Sequence, residues 1–182
     1  IIGAGALARA LAAAHTAVHA YAGVSLFARD GAKARATVQA LQEEGIAIEA
    51  TADLAAAGAA ADVIVAATTA TAPVIRGAWV HPGTHVSLMG AFTKSMAEAD
   101  EALLVAARLF ADTRAGVVAK GGEVAQAIAS GAISAETIED DLFGLVARST
   151  PVARRREDIT VFKSVGSAAF DLVAAELILH SA

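Results

Sequence analysis

The chain has 182 residues, no cysteine and a formal net charge of −5 at neutral pH. That length suits one main domain with a sizeable core. The lack of cysteine excludes a disulfide framework, a thiolate metal site and a cysteine nucleophile, and the acidic balance argues against a nucleic-acid partner. Hydrophobic residues make up 56% of the chain but aromatics only 4%; alanine carries much of the apolar content, so helices form easily around small core side chains. No apolar run is long and charge-free enough to cross a membrane, since 103–109 is interrupted by Arg108 and 172–179 carries Glu176. The cytoplasm is the default compartment for such a chain.

The sequence opens Ile1-Ile2-Gly3-Ala4-Gly5-Ala6-Leu7-Ala8, the end of a buried strand, a glycine turn and the start of a helix. It begins inside the strand and without methionine, as expected of a piece of a longer protein, and no targeting segment is in view. The spacing is G-x-G-x-x-A, the alanine-ended form of the dinucleotide fingerprint. Gly3 makes the tight turn, Gly5 lets a pyrophosphate approach the backbone, and Ala8 lets the helix pack closely on the strand. The helix N-terminus then offers free N–H groups and a positive dipole end to phosphates. The helix runs over 6–19. His15 and His19 are spaced i, i+4, but no carboxylate lies nearby to complete a metal site, so they read as surface or helix-end residues. A second strand over 24–28 ends in Arg29-Asp30, and Gly31 opens a helix that carries Lys33. At such a strand end an acid bonds the ribose 2′-OH of NAD, whereas an arginine accommodates the 2′-phosphate of NADP. Asp30 suits a helix N-cap as well as a ribose; Arg29, with Lys33 one turn on, favours NADP(H) over NAD(H).

A short third strand covers 46–50, and Asp53 caps a helix through Ala60. The fourth strand, 61–67, is almost wholly apolar, as in a buried parallel sheet. It runs out into Thr68-Thr69-Ala70-Thr71, which reads equally as a polar turn or as the small residues beside a ligand at a strand's carboxyl end. After a loop punctuated by Pro73, Gly77, Pro82 and Gly83, the pattern predicts a fifth strand over 84–89, a helix from Glu98 to Ala107 and a sixth strand over 109–112. Gly121-Gly122-Glu123 breaks one helix and starts another. A further helix is expected from Ser134 to Val146, with Ser134 capping an acidic first turn. The run Arg154-Arg155-Arg156 reads as a solvated loop rather than a nucleic-acid patch. A last strand over 159–162 leads through Lys163-Ser164-Val165-Gly166 into a long helix to about His180. Strands alternating with helices, without hairpin signals, predict an α/β fold with a doubly wound parallel sheet.

Several pieces carry more than local structure. They are Ile2-Gly3-Ala4-Gly5; Ala61-Asp62-Val63-Ile64 with Thr68-Thr69-Ala70-Thr71-Ala72-Pro73-Val74; and Gly77-Ala78-Trp79-Val80 leading to Pro82-Gly83-Thr84-His85-Val86. Gly90-Ala91-Phe92-Thr93 follows, with Met96 and Glu98, and then Thr160-Val161-Phe162-Lys163-Ser164-Val165-Gly166, with Asp171 beyond it. In this order, and above all through the closing Phe-Lys-Ser-Val-Gly, they resemble the ornithine cyclodeaminase/mu-crystallin family over almost the whole chain. The resemblance implies a Rossmann-type doubly wound sheet inserted in a second domain for substrate and dimerisation. Residues 1–125 would be the NAD(P)-binding domain, and 126–182 a C-terminal helical and strand segment returning to an incomplete substrate domain. The family's catalytic lysine and carboxylate-binding arginine would lie upstream of the fingerprint, outside this chain, so no catalytic residue is assigned. By the same resemblance, Gly3, Gly5, Ala6 and Leu7, with Ala4 among them, cradle the pyrophosphate. Arg29, Asp30 and Lys33 meet the adenosine ribose or its phosphate, and Thr68 and Thr69 flank the adenosine side. Met89, Phe92 and Val165 line the nicotinamide, although Met89 and Val165 equally suit plain core.

Cyclodeaminases of the family carry an aspartate just after the fifth strand, thought to act on the substrate amine; Phe92 stands there, and no carboxylate replaces it. Glu98, six residues on, reads as a helix-start residue. The Gly-Ala-Phe-Thr form is similar to the family's reductases of cyclic imines such as Δ1-pyrroline-2-carboxylate. The expected activity is therefore NAD(P)H-dependent reduction of a cyclic imino acid by hydride transfer to the C=N carbon, with no metal, in a homodimer acting on a small imino or amino acid. The alternatives are ornithine cyclodeaminase, which converts ornithine to proline and ammonia, an amino-acid dehydrogenase, and a non-catalytic NADPH-binding protein. Lys120 and Lys94 also stand where relatives commonly carry glutamate and proline, and nothing in the sequence explains either.

Overall fold

The computed structural model describes residues 1–181. Its frame is a parallel sheet whose strands appear in the expected alternation with helices. Strands β1 (Ser25–Leu26) and β2 (Glu49–Ala50) pair with each other. Strands β3 (Val63–Ala66), β4 (His85–Leu88), β5 (Arg108–Ala111), β6 (Ile138–Asp141) and β7 (Thr160–Lys163) form a five-stranded sheet in the order β3-β4-β7-β5-β6. The first residues join the two. The Ile2 N–H donates to the Val65 carbonyl at 2.7 Å, and the Ala67 N–H returns to the Ile2 carbonyl at 2.8 Å. On the other side, Phe27 N–H donates to the Ile1 carbonyl and Gly3 N–H to the Phe27 carbonyl, both at 2.8 Å. Ile1 and Ile2 thus lie as a strand between β1 and β3, and the chain forms the expected α/β doubly wound parallel sheet.

Each helix starts for a local reason. Helix α1 (Ala6–Val18) begins at Gly5 and turns Ala8 and Ala12, one turn apart, fully inward. Helix α2 (Gly31–Glu43) is capped by Asp30, whose carboxylate accepts the N–H groups of Ala32 and Lys33. Asp53 caps α3 (Leu54–Ala60) in the same way, as the sequence predicts. Helix α4 (Glu101–Ala106) is capped by Asp100 rather than beginning at Glu98, and buries Leu103 and Leu104 completely, each stabilising by roughly 1.5–3 kcal/mol. Helices α5 (Arg114–Lys120) and α6 (Gly122–Ser130) meet at Gly121, where the double glycine predicts a break.

Two expectations need correction. The helix from Ser134 to Val146 is instead a 3-10 turn (Ala135–Thr137), the strand β6 and a short helix α7 (Leu142–Ala147) capped by Asp141. The acidic run Ile138-Glu139-Asp140-Asp141 hides the strand because β6 lies at the sheet edge and fully buries only Ile138. The guanidinium of Arg108 holds the edge by a two-pronged bond to the Glu139 carboxylate, at 2.7 and 2.6 Å, which binds β5 to β6. The sheet also does not end at residue 125, since β6 and β7 both belong to it and β7 sits in its middle. Beyond it, α8 (Ala168–Ser181) leaves Leu172, Val173, Ile178 and Leu179 more than half exposed. No helix among the described residues is long and apolar enough to cross a membrane.

Alternation along the strands divides the core. Ile64, Val86, Leu88, Leu109, Ala111 and Val161 pack with Leu103, Leu104, Val117 and Val124 of α4, α5 and α6. A smaller cluster joins Ala12 of α1 to Leu26, Ile48 and the inner face of α2. The residues between them in β4, β5 and β7, namely His85, Ser87, Arg108, Phe110, Thr160 and Phe162, face the opposite side. The basic run lies there in an exposed loop, as expected, with Arg155 bonded to the buried Asp158 carboxylate at 2.9 Å.

His85 makes this face sensitive to acid. Its Nδ1 lies 2.8 Å from Thr160 Oγ1 and its Nε2 3.2 Å from Ser87 Oγ. Burial, and then the charge of Arg154, lowers its pKa from 6.5 to about 4. Between those values the unfolded chain holds a proton that the folded chain does not, so stability rises with pH across the window and is lost as pH falls through it. The shift corresponds to about 3 kcal/mol at most. Urea unfolding from pH 7 to 4.5 should show this slope, and His85→Gln should flatten it; a variant with the parent's slope would place the sensitivity elsewhere.

Candidate functional site

Because every strand runs the same way, their carboxyl ends share one edge of the sheet. The sequence-predicted residues all follow those ends: Gly3 to Leu7 after the Ile1–Ile2 strand, Arg29 to Lys33 after β1, Thr68 and Thr69 after β3, Met89 and Phe92 after β4, and Val165 after β7. The chain order along the sheet reverses between the Ile1–Ile2 strand and β3, so the glycine turn stands at the switch point, where open parallel sheets bind ligands.

The turn has the conformation its sequence demands. Gly3 adopts φ +123°, and a Cβ there would fall inside the carbonyl oxygen of Ala67. Gly5 caps α1 with no side chain near it, and a Cβ built on it would meet nothing within 4 Å. Gly5, Ala6 and Leu7 are exposed, and the first turn of α1 carries no acidic residue. The free N–H groups of a 13-residue helix therefore open onto the crevice with no side chain competing for them. Thr37 of α2 steadies the turn from behind, its hydroxyl donating to the Ala4 carbonyl at 3.3 Å. These features fit a dinucleotide pyrophosphate. Arg29 and Lys33 are exposed beside the turn, while one oxygen of Asp30 is engaged in capping α2.

On the other side of the switch point, buried acids tie the loops together. Glu98 is fully buried and does not start a helix. Its Oε1 accepts Thr68 N–H at 2.6 Å and its Oε2 accepts Gly90 N–H at 2.7 Å, so one carboxylate joins the loops after β3 and β4. The Glu98 N–H in turn donates to Glu123 Oε2 at 3.2 Å. Glu123 Oε1 lies 2.9 Å from the ammonium of Lys163, which has no exposure at all. Burial pushes the Glu123 carboxyl up, and the Lys163 ammonium pulls it part of the way back. Asp112, at the end of β5, grips the segment after β7: its Oδ2 accepts Ser164 Oγ–H at 2.8 Å, Val165 N–H at 2.8 Å and Gly166 N–H at 2.7 Å.

Phe92 is half exposed in the loop that follows β4, Met89 is partly buried and Val165 is buried. From residue 89 to 97 the loop carries no acid, and the first one, Glu98, points inward with both oxygens occupied. Glu98, Glu123, Lys163 and Asp112 are the residues that sequence reasoning missed. Lys163 carried a signal, being a charge at the end of an otherwise apolar strand, which requires a buried partner. Among the described residues, no group of three or more histidine, aspartate or glutamate side chains could hold a metal ion. A separate cavity of about 350 Å³ lies at the opposite, amino-terminal ends of β1 and β3, against the last turns of α1.

The sequence pattern of the ornithine cyclodeaminase/mu-crystallin family matches residues 1–182. The Δ1-pyrroline-2-carboxylate reductase of Paracoccus denitrificans is 46% identical over 182 residues, which cover 98% of this chain and 57% of that protein. Among solved structures, the Δ1-pyrroline-2-carboxylate reductase of Thermococcus litoralis in complex with NADH and L-proline superposes with a TM-score of 0.91 at 28% identity, over 97% of this chain and 55% of that one. The iminosuccinate reductase of Paracoccus denitrificans in complex with NAD+ has a TM-score of 0.87 at 32% identity, over 98% and 54% of the two chains. The chain thus spans a little over half the length of the relatives it matches. The glycine turn, the parallel strand order and a sequence match running from the first residue to the last agree with one another, and the chain belongs to the ornithine cyclodeaminase/mu-crystallin family.

Proposed function

We propose that the whole protein reduces a cyclic α-imino acid of the Δ1-pyrroline-2-carboxylate kind to the cyclic amino acid, using a reduced nicotinamide dinucleotide. The observation that carries this reading is the open glycine turn at the switch point, in a chain 46% identical to a reductase of that imine. When bound, the cofactor supplies the hydride that attacks the C=N carbon. The residues of this chain bind and orient. The N–H groups of Gly5, Ala6 and Leu7 hold the pyrophosphate, Thr68 and Thr69 flank the adenosine side, and Met89, Phe92 and Val165 line the nicotinamide and exclude water from it. By the family resemblance, the catalytic lysine and arginine would be supplied from outside residues 1–182. Deamination of ornithine is disfavoured because Phe92 offers no proton acceptor and Glu98 is committed to two backbone N–H groups.

Arg29 and Lys33 support NADP(H) over NAD(H), since both are exposed cations at the strand end that meets the 2′ position while the Asp30 carboxylate is drawn to the helix it caps. Arg29→Ala should weaken NADPH binding about tenfold, roughly 1.4 kcal/mol, and leave NADH binding unchanged; equal losses for both cofactors, measured by nicotinamide fluorescence, would remove Arg29 as the phosphate reader. The exposed apolar side chains of α8 support a tail, within 126–182, that begins the substrate domain and the homodimer contact. The test of the main reading follows absorbance of NADPH and NADH with Δ1-pyrroline-2-carboxylate and the full-length protein. Imine-dependent oxidation is the expected result; ammonia and proline from ornithine, or cofactor binding with no turnover, would overturn it in favour of a cyclodeaminase or of a binding protein.

A further inference from the structure

The described residues bury one ammonium completely, and nothing in the proposed chemistry uses it. Lys163 ends β7, facing α6 together with Val161, and its Nζ has Glu123 Oε1 at 2.9 Å. A buried ion pair is weak evidence of stability, because burying both charges costs about as much as their attraction returns. A pair of apolar side chains would fill the same space. What the pair does retain is a place in a chain of contacts: Lys163 to Glu123, Glu123 Oε2 to the Glu98 N–H, and the Glu98 carboxylate to the N–H groups of Thr68 and Gly90. The chain begins one residue before the Ser164–Gly166 segment gripped by Asp112 and ends on the two loops that bound the crevice. Gln126 of α6 adds to it by donating to the carbonyls of Lys94 and Met96, both at 2.9 Å, in the segment that joins Phe92 to Glu98.

We propose that Lys163, Glu123 and Glu98 form a positioning relay that sets the spacing of the loops after β3 and β4, and with it the seat of the nicotinamide. The inference rests on the reductase reading above and deepens it. The relay touches neither the reacting atoms nor the solvent. Glu98 fixes the separation of Thr68 from Gly90, because each of its oxygens holds one of them. Glu123 fixes Glu98 by accepting its main-chain N–H, and Lys163 fixes Glu123 against β7. A carboxylate is required at 98, because a glutamine there would turn a second N–H toward a backbone N–H.

The test uses the full-length protein, with Lys163→Met, Glu123→Leu, the double variant and Glu98→Gln. Three quantities are read: melting temperature, the dissociation constant for NADPH by fluorescence, and kcat and KM for imine reduction with an isotope effect from 4-deuterated NADPH. The single variants of the pair should melt lower than the parent, each leaving one charge unpartnered. The double variant should recover most of the melting temperature but bind NADPH at least tenfold more weakly and turn over at least tenfold more slowly, with a larger isotope effect and little change in KM for the imine. Glu98→Gln should share that catalytic loss. A double variant with the parent's affinity and kcat reduces the pair to core packing and overturns the relay, as does a double variant that fails to fold. A parent that binds no NAD(P)H overturns the reductase reading and the relay together, whereas a parent that binds without imine turnover overturns the reading alone and leaves the affinity comparison to judge the relay.

Discussion

Gly90→Ala should prevent the protein from reaching its native state. A Cβ at residue 90 would fall well inside 3.0 Å of the carbonyl oxygen and amide nitrogen of Thr68 and of Glu98 Oε1. Two of those three atoms are backbone, and the third belongs to a carboxylate whose two oxygens are pinned by the N–H groups of Thr68 and Gly90 themselves. No rotamer change relieves the overlap. The loops after β3 and β4 would have to part, giving up both bonds to a fully buried carboxylate. The expected cost exceeds about 4 kcal/mol, a large share of the roughly 5–15 kcal/mol that stabilises a domain. Soluble yield and calorimetric melting would measure it, with Gly5→Ala as the comparison, since a Cβ at residue 5 meets nothing within 4 Å. Gly5→Ala should keep the parent's melting temperature and weaken cofactor binding. A Gly90→Ala protein that melts within a few degrees of the parent would mean that the two loops do not lie as closely as described.

Asp112→Ala should be the next most damaging change. The residue is 1% exposed, and its carboxylate satisfies four donors: Thr113 N–H on Oδ1, and Ser164 Oγ–H, Val165 N–H and Gly166 N–H on Oδ2. Three of these are main-chain groups with no freedom to turn toward another acceptor. An orphaned buried donor costs roughly 1–3 kcal/mol, so the alanine variant should lose on the order of 4–6 kcal/mol, less where water enters the space. Asp112→Asn keeps the shape and one acceptor, and should lose about half as much. Urea midpoints at constant slope would measure both, and an alanine variant within about 1 kcal/mol of the parent would show that the segment from Ser164 to Gly166 is held by something else. Cofactor affinity should fall alongside stability, because Val165 lies within the segment that Asp112 grips.

The fold was legible where a local signal and its tertiary use coincide. Gly3-Ala4-Gly5 reads as a turn because only glycine takes the φ of residue 3, and the run Val63–Ala66 reads as a buried strand because both faces are covered. Asp30 and Asp53 announce the helices they cap. Legibility ended where a charged residue is used against its type. Glu98 looked like an acid at a helix start, yet its partners, Thr68 and Gly90, come from two other loops. The acids of β6 looked helical because an edge strand needs one buried side chain, Ile138, and not an alternating row. Lys163 sat inside the most recognisable motif of the chain, but its partner Glu123 is forty residues earlier and meets it only because α6 crosses the face of the sheet that β7 presents. Spacing along the chain carries no trace of such a pair.

The seating of β7 between β4 and β5 has a consequence for how the protein is made. Until Thr160–Lys163 emerge from the ribosome, β4 and β5 have no common neighbour, and each presents an open row of main-chain donors and acceptors. Among the described residues, β7 is the last strand of the sheet in chain order and its keystone, and the two flanking halves wait for it with sticky margins. Pairings this distant in sequence are slow to close, and the open margins are the kind that stray strands add to. A chain halted before Thr160 should therefore depend on chaperones and accumulate in aggregates, whereas one halted just beyond Gly166 should be soluble.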